Sequence, residues 1–230
     1  MRHLLMPTLL LAALLAPAAV YSDDKKDEKK PDVPEGFTPL FNGKDLTGWK
    51  VHNGKMDVWG AEKGLLYVQG SGGGWLMTEK EYDNFELRLE FKVPKKGNSG
   101  VALRAPLMGD PAYQGMEIQI LDDANYTGLR DAQHTASIYD VVPPTEAGLK
   151  ANKPFGEWNT YKITAKGRQI TVELNGVKAV DANLDDYVKE HGKKHPGLSR
   201  EKGHLGLQSH DGRVEFRNIY VKPLAVDGPG

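Results

Sequence analysis

The chain has 230 residues, with 30 Lys and Arg against 31 Asp and Glu, a formal net charge of −1, and no cysteine. This balance excludes a polyanion such as nucleic acid as the expected partner, and the missing thiols exclude both a disulfide framework and a cysteine-linked lipid anchor. Stability must then come from packing, and roughly 200 residues suffice for one good core.

Residues 1–22 form an address rather than a fold. Arg2 and His3 precede an apolar run from Leu4 to Val20, which closes at Val20-Tyr21-Ser22. This is the pattern of a secretory signal peptide cut after Ser22; the run is shorter than the ~20 residues a membrane span needs and contains Pro7 and Pro17. Its removal takes away Arg2 and leaves 29 basic against 31 acidic side chains. The expected product is an exported protein, periplasmic or secreted, with no membrane attachment after signal cleavage. Residues 23–35 follow as a charged linker, 23-DDKKDEKKPDVP-34 being almost free of apolar side chains that could offset the entropy of ordering it.

From residue 36 to 226 the texture is that of one domain built from short alternating runs. In 84-NFELRLEFKV-93, Phe85, Leu87, Leu89, Phe91 and Val93 share one face and Glu86, Arg88, Glu90 and Lys92 the other, as in a strand between core and water. Similar strands are predicted at 64–69, 100–105, 115–121, 158–165, 169–174, 204–209 and 213–221. Asn175-Gly176 between 169-QITVEL-174 and 177-VKAVD-181 signals a tight hairpin. Only 183-NLDDYVKEHG-192 reads as helix, with Asn183 as N-cap and Gly192 as stop. Residues 122–157 are rich in turn formers and predict long loops, where a sandwich carries specificity. Many strands and one short helix predict an all-β sandwich or barrel.

Several blocks, in order, resemble one family. They are 37-FTPLFNGKDLTGWKV-51, 73-GGWLMTEKEYDNFELRLEF-91, 97-GNSGVALRAP-106, 115-GMEIQILDD-123, 135-TASIYDVVPP-144, 153-KPFGEWNTYKI-163 and 214-VEFRNIYVKPL-224. Together they resemble the 3-keto-disaccharide hydrolase domain family. The resemblance implies a concanavalin A-like jelly-roll β-sandwich of two antiparallel sheets, exported by bacteria, acting on an oligosaccharide or glucoside whose C3 hydroxyl has been oxidised to a ketone. One departure is Thr135-Ala136, where Thr-Gly is expected. Ala136 would resist a positive φ, so a local difference in the loop is expected there.

The stretch 115-GMEIQILDD-123 carries the principal candidates. Met116, Ile118 and Ile120 alternate with Glu117 and Gln119, so the second face is either solvated or the floor of a site. Sandwich glycosidases of the laminarinase type carry Glu-x-Asp-x-x-Glu on such a strand; Glu117, Gln119 and Asp122 repeat the spacing. A bulge near Leu121 would turn Asp122 to the polar face. Direct retaining hydrolysis by Glu117 and Asp122 needs carboxyls ~5–5.5 Å apart, and Gln119 cannot share charge with Glu117 as a central Asp would. A 3-keto sugar asks for less: a base for the acidified C2 hydrogen, a group for the enolate oxygen and a donor to the leaving group. Glu117 is the candidate base, and Arg104 or a metal the candidate enolate partner; a surface ion pair is the other reading of Arg104.

Further substrate-binding candidates are Trp75, Asn98, His134, Tyr139, Gln208 and His210. Trp75 stands among glycines in 72-GGGWL-76 as a sugar-stacking surface or a core residue, while Trp49, Trp59 and Trp158 read as core. Asn98 binds sugar hydroxyls or forms an Asx turn at a strand mouth. Gln208 and His210 share a face opposite Leu205 and Leu207, as sugar ligands, a general acid, or exposed polar groups. His134 and Tyr139 reach over from the loops. A divalent metal, zinc or calcium, through Glu117, Asp122, His134 and His210 remains open, although no close ligand spacing occurs. A non-catalytic carbohydrate-binding module is the alternative in another class, because such sandwiches host lectins as well.

Overall fold

A computed structural model describes residues 33–225; the expected signal peptide and most of the linker lie outside them. Thirteen strands run in chain order as β1 (Thr38–Pro39), β2 (Trp49–His52), β3 (Trp59–Glu62), β4 (Leu65–Gln69), β5 (Trp75–Tyr82), β6 (Phe85–Lys92), β7 (Asn98–Ala105), β8 (Met116–Leu121), β9 (Asn159–Lys166), β10 (Gln169–Leu174), β11 (Val177–Asn183), β12 (Gly203–Gln208) and β13 (Arg213–Pro223). Three short helices join them: α1 (Pro111–Gln114), α2 (Glu146–Lys150) and α3 (Asp185–His191). The expected sandwich is therefore present, as two antiparallel sheets. One has the order β11-β10-β9-β6-β13-β4-β3 with β1 added on β13, and the other β2-β5-β12-β7-β8.

Alternation sets the layers. On β6 every second residue is buried, and Phe85, Leu87, Leu89 and Phe91 meet Leu76, Val101, Leu103, Ile118, Ile120, Leu205 and Leu207 from the five-stranded sheet in one core. The β10–β11 hairpin turns at Asn175 (φ 51°) and Gly176 (φ 82°), the two left-handed residues a type I′ turn requires. The helix expected at 183–192 is α3, although Leu184 rather than Asn183 takes the N-cap position; Asn183 ends β11, and its Oδ1 accepts from the Asp185 amide at 3.1 Å. Two helices went unforeseen. α1 starts with Asp110 accepting from the Ala112 amide and Pro111 in the first turn, and in α2 Thr145 caps the Gly148 amide. Among the described residues no helix is long and apolar enough to cross a membrane.

The five-stranded sheet does not leave its second face open. After β7 the chain crosses back over it: Gly109 carbonyl accepts from Asn53 Nδ2 and lies 2.9 Å from His52 Nε2, at the far edge strand. Beneath this strap, Ala112 packs with Trp75, Met77, Ala102 and Ala105 in a small second cluster. Trp75 is thus 5% exposed, a support for α1 rather than an open stacking surface. Trp49 and Trp59 are buried as expected. Trp158 is not: it lies half-buried with the Arg217 guanidinium 4.0 Å and the Lys92 ammonium 4.9 Å from its ring.

Arg104 departs most from the expected alternation. Between Ala102 and Ala105, β7 carries one more residue than β12 does between Gly206 and His204, and Arg104 takes the bulge with φ 50°. Its side chain is fully buried, donating Nε to the Asp83 carbonyl and Nη1 to the Gly167 carbonyl, both at 2.8 Å. It clamps the β5–β6 and β9–β10 turns and is neither an enolate partner nor a surface ion pair. Arg104→Ala removes both donors and leaves a void, so we expect a loss of about 2–4 kcal/mol in urea unfolding, with Arg104→Lys recovering only part because one ammonium cannot meet two carbonyls in fork geometry.

Candidate active site

On β8 the core side is apolar and the other side carries Glu117 and Gln119, as the alternation predicts, yet neither is wet. Glu117 is 3% and Gln119 5% exposed. They form part of a cavity of about 180 Å³ lined by Asn98, Asp110, Ala112, Tyr113, Glu117, Gln119, Tyr139, Gln208 and His210. β8 and β7 provide the floor, α1 one wall, and the segment 136–139 the other. That segment runs beside β8 like a further strand. The Ala136 amide donates to the Gln119 carbonyl, Gln119 to Ser137, and Tyr139 to Glu117, at 2.9, 3.1 and 2.9 Å.

Ala136 itself is buried with φ 72°, the conformation glycine would take more cheaply. The loop therefore keeps the left-handed turn that the sequence departure put in question, and bears the strain of a Cβ there.

Glu117 is the group around which the cavity is fitted. A Cβ at position 100 would lie 1.9 Å from Glu117 Oε1, so only glycine leaves room for the carboxyl across the β7–β8 pair. Among the described residues no hydrogen bond reaches this carboxyl. Burial, and secondly the Asp110 carboxylate, push it up to about 8. Gln119 differs in having one end fixed: its Oε1 accepts from the Ile120 amide at 3.1 Å, which leaves the Nε2 hydrogens to donate. Among the described residues Asn98 Oδ1 is buried without a hydrogen-bond partner. Tyr161 Oη bonds the Gln119 carbonyl from below at 2.5 Å, tying the floor to the opposite sheet.

Of the residues singled out in the sequence, Glu117, Gln119, Asn98, Tyr139, Gln208 and His210 meet at this cavity. Arg104, Asp122, His134 and Trp75 do not line it. Asp122 accepts from the Lys96 amide at 2.8 Å, and the β7–β8 register runs without a shift to Asn98–Leu121. The bulge that would have aimed Asp122 at Glu117 is absent, so it belongs to the β6–β7 turn. His134 Nδ1 lies 3.2 Å from Asp123 Oδ1, and Asp123 also accepts from Thr135 and Asn152, making a loop anchor. Glu117, Asp122, His134 and His210 are consequently not one ligand set, and among the described residues no group of three His, Asp or Glu is gathered around a metal-sized site. Asp110 and Tyr113 were missed. Their signal was Asp110-Pro111, a helix start inside a stretch read as a strand connection.

A larger hollow of about 580 Å³ lies on the outer side of the eight-stranded sheet. Its charges are paired, Lys162 with Glu173 at 2.9 Å, Arg88 with Glu86 at 2.6 Å and Glu90 with Arg217 at 2.7 Å.

Comparison with known proteins gives a consistent result. The sequence profile of a 3-keto-alpha-glucoside-1,2-lyase-like domain matches residues 36–222. A 3-keto-disaccharide hydrolase from Bacteroides thetaiotaomicron is 31% identical over 233 residues, covering 83% of this chain and 79% of that one. A crystal structure from Parabacteroides distasonis, assigned to the glycosyl hydrolases, superposes with a TM-score of 0.71 at 30% identity over 83% of this chain and 95% of its own. A second from the same organism gives 0.72 at 29% identity, over 82% and 99%.

Two outcomes are expected at the floor. Folded Glu117 keeps its proton up to about pH 8 whereas the unfolded group releases it near 4.5. Between these values the fold holds the extra proton, so this site's favourable contribution is complete below about 4.5 and lost as pH rises through about 8. Glu117→Gln should match wild type in unfolding free energy near pH 4.5 and exceed it by on the order of 3 kcal/mol at pH 8, read by urea denaturation across pH. Gly100→Ala should cost about 1–3 kcal/mol alone and markedly less in a Glu117→Ala background; equal costs in both would refute the steric coupling.

Proposed function

The chain belongs to the 3-keto-alpha-glucoside-1,2-lyase-like family and is a carbohydrate-active enzyme of the glycoside hydrolase type; within that class we propose that it cleaves glycosidic bonds of 3-keto-glucosides and 3-keto-disaccharides by elimination and hydration, with Glu117 as the base. The observation that carries this reading is the buried Glu117 carboxyl, because the other carboxyl lining the cavity, Asp110, is exposed and tied to the Ala112 amide at 3.0 Å. Ordinary retaining hydrolysis needs a second carboxyl opposite the first, and Asp122, the residue spaced for that role, is bound to the Lys96 amide. A 3-ketone lowers the demand to one base, because the C2 hydrogen is already acidic.

Glu117 suits that task in strength as well as position. A carboxyl raised to about 8 by its surroundings is a far better base than an exposed glutamate, and it operates near neutral pH. Glu117 takes the C2 proton, negative charge gathers on the C3 oxygen, and the C1–O bond breaks as the C1–C2 double bond forms. In place of Arg104, the Gln119 amide at the cavity floor is the donor assigned to the enolate oxygen. Its Oε1 is already committed, so the amide presents Nε2 without reorganising. Asn98 and Gln208 offer further polar contacts to the ring hydroxyls. Export through the leader at residues 1–22 is part of the same proposal: the substrate would be met outside the cytoplasm.

The test is product formation from a 3-keto-glucoside and from its unoxidised parent, with wild type and Glu117→Gln, before and after chelation. Cleavage of the keto substrate alone, rising with pH up to about 8 and lost in Glu117→Gln, is the expected result. Equal cleavage of the parent would sink the elimination pathway, and loss on chelation would mean that a metal shares the work assigned to Gln119.

A further inference from the structure

The elimination reading leaves one role unfilled, the proton donor to the departing glycosidic oxygen, and the cavity offers few candidates. Amides of Asn98, Gln119 and Gln208 cannot give up a proton at ordinary pH. His210 stands at the exposed rim with Nδ1 2.7 Å from Asp211 Oδ2. Asp110 holds the start of α1 through the Ala112 amide at 3.0 Å. Tyr139 keeps its phenolic proton, but its Oη is tethered by Gln133 Nε2 at 3.2 Å on the wall opposite α1. Tyr113 is different: it lines the cavity with Glu117, and among the described residues its hydroxyl has no hydrogen-bond partner.

We infer that Tyr113 protonates the leaving oxygen, and that the Asp140, Lys194 and His195 cluster behind it is the frame that positions it. This rests on the elimination reading above. The ring of His195, itself only 2% exposed, packs against Tyr113 tilted by 37° with centroids 4.9 Å apart, and the Lys194 ammonium lies 5.7 Å from the tyrosine ring. Both are gathered by Asp140, which pairs with Lys194 and stands 3.6 Å from His195 Nε2. Arg130 closes the other side of that carboxylate. Asp140 adopts φ 61° directly after Tyr139, so one strained residue fixes the wall that faces the floor.

The arrangement also suits the change of charge. Burial, then Tyr139, hold the Tyr113 proton above its ordinary value while Lys194 opposes them. Tyr113 thus remains protonated where Glu117 has lost its proton, and Lys194 is at hand for the tyrosinate that follows. In the forward step Glu117 takes the C2 proton, those electrons become the C1–C2 double bond, and the C1–O pair leaves with the aglycone oxygen, which takes the phenolic proton of Tyr113. In the return step water adds its hydroxyl to C1 and its proton to the tyrosinate, while Glu117 returns its proton to C2. One water is consumed and both side chains are restored.

The experiment compares Tyr113→Phe with wild type on two 3-keto-glucosides, one with a sugar leaving group and one with a nitrophenol, whose oxygen departs without protonation. The phenyl ring preserves the packing against His195, and turnover of the nitrophenyl substrate itself reports a folded site. We expect kcat to fall by about 10²–10⁴ on the sugar substrate and by less than about threefold on the nitrophenyl one. Lys194→Met should lower kcat on the sugar substrate alone at unchanged KM, with Lys194→Arg restoring it. Equal losses on both substrates, or none on the sugar one, would overturn the role of Tyr113. Glu117→Gln must lose both substrates whatever the leaving group; if wild type cleaves neither, or cleaves the unoxidised parent equally, the elimination reading fails first and Tyr113's role with it.

Discussion

A buried carboxyl with no hydrogen-bond partner is costly to a fold, and among the described residues several elements at once hold Glu117 in that state. Gly100, having no Cβ, leaves room for the carboxyl, α1 lies over it, and the 136–139 segment borders it. None of these lowers the cost of ionising the group. They fit together only if the site must be dry, because a wet Glu117 would be an ordinary weak base. The strap tethered at Gly109 and the small cluster around Trp75 and Met77 then read as the frame that keeps α1 in place.

How much of this was legible depended on range. The period-2 pattern of β6 and β8, the Asn175-Gly176 turn and the start of α3 near Asn183 are local, and each was read from neighbouring residues alone. The floor, Glu117 and Gln119, followed from the same alternation. Arg104 and Asp122 were misjudged because their directions are set by pairing. One extra residue on β7 against β12 turns Arg104 out of sequence, and the uninterrupted β7–β8 ladder leaves Asp122 at the next turn. Neither fact can be read from either strand by itself.

Trp75 failed for a related reason. Its glycine-rich flank suggested access, but the residues that cover it arrive from the chain after β7, and only the fold brings Ala112 over it. Asp110 and Tyr113 were overlooked because a four-residue helix is too short for a periodic signal; the Asp110-Pro111 pair at its start was the mark it left. The family likeness corrected the balance between a solvated face and a site, but it could not say which side chains share a cavity.

The 136–139 segment has a second consequence, concerning the free edge of the sheet rather than the cavity. β8 is the last strand of its sheet, and such a strand offers its unpaired amides and carbonyls to any other extended chain. Ala136, Ser137 and Tyr139 occupy those positions on Gln119 and Glu117. The same four residues that wall the site therefore cap an adhesive edge, in a protein with no disulfide to hold the loop down. Loosening this segment would open the pocket and uncover the edge together, coupling loss of catalysis to self-association at a single place in the chain.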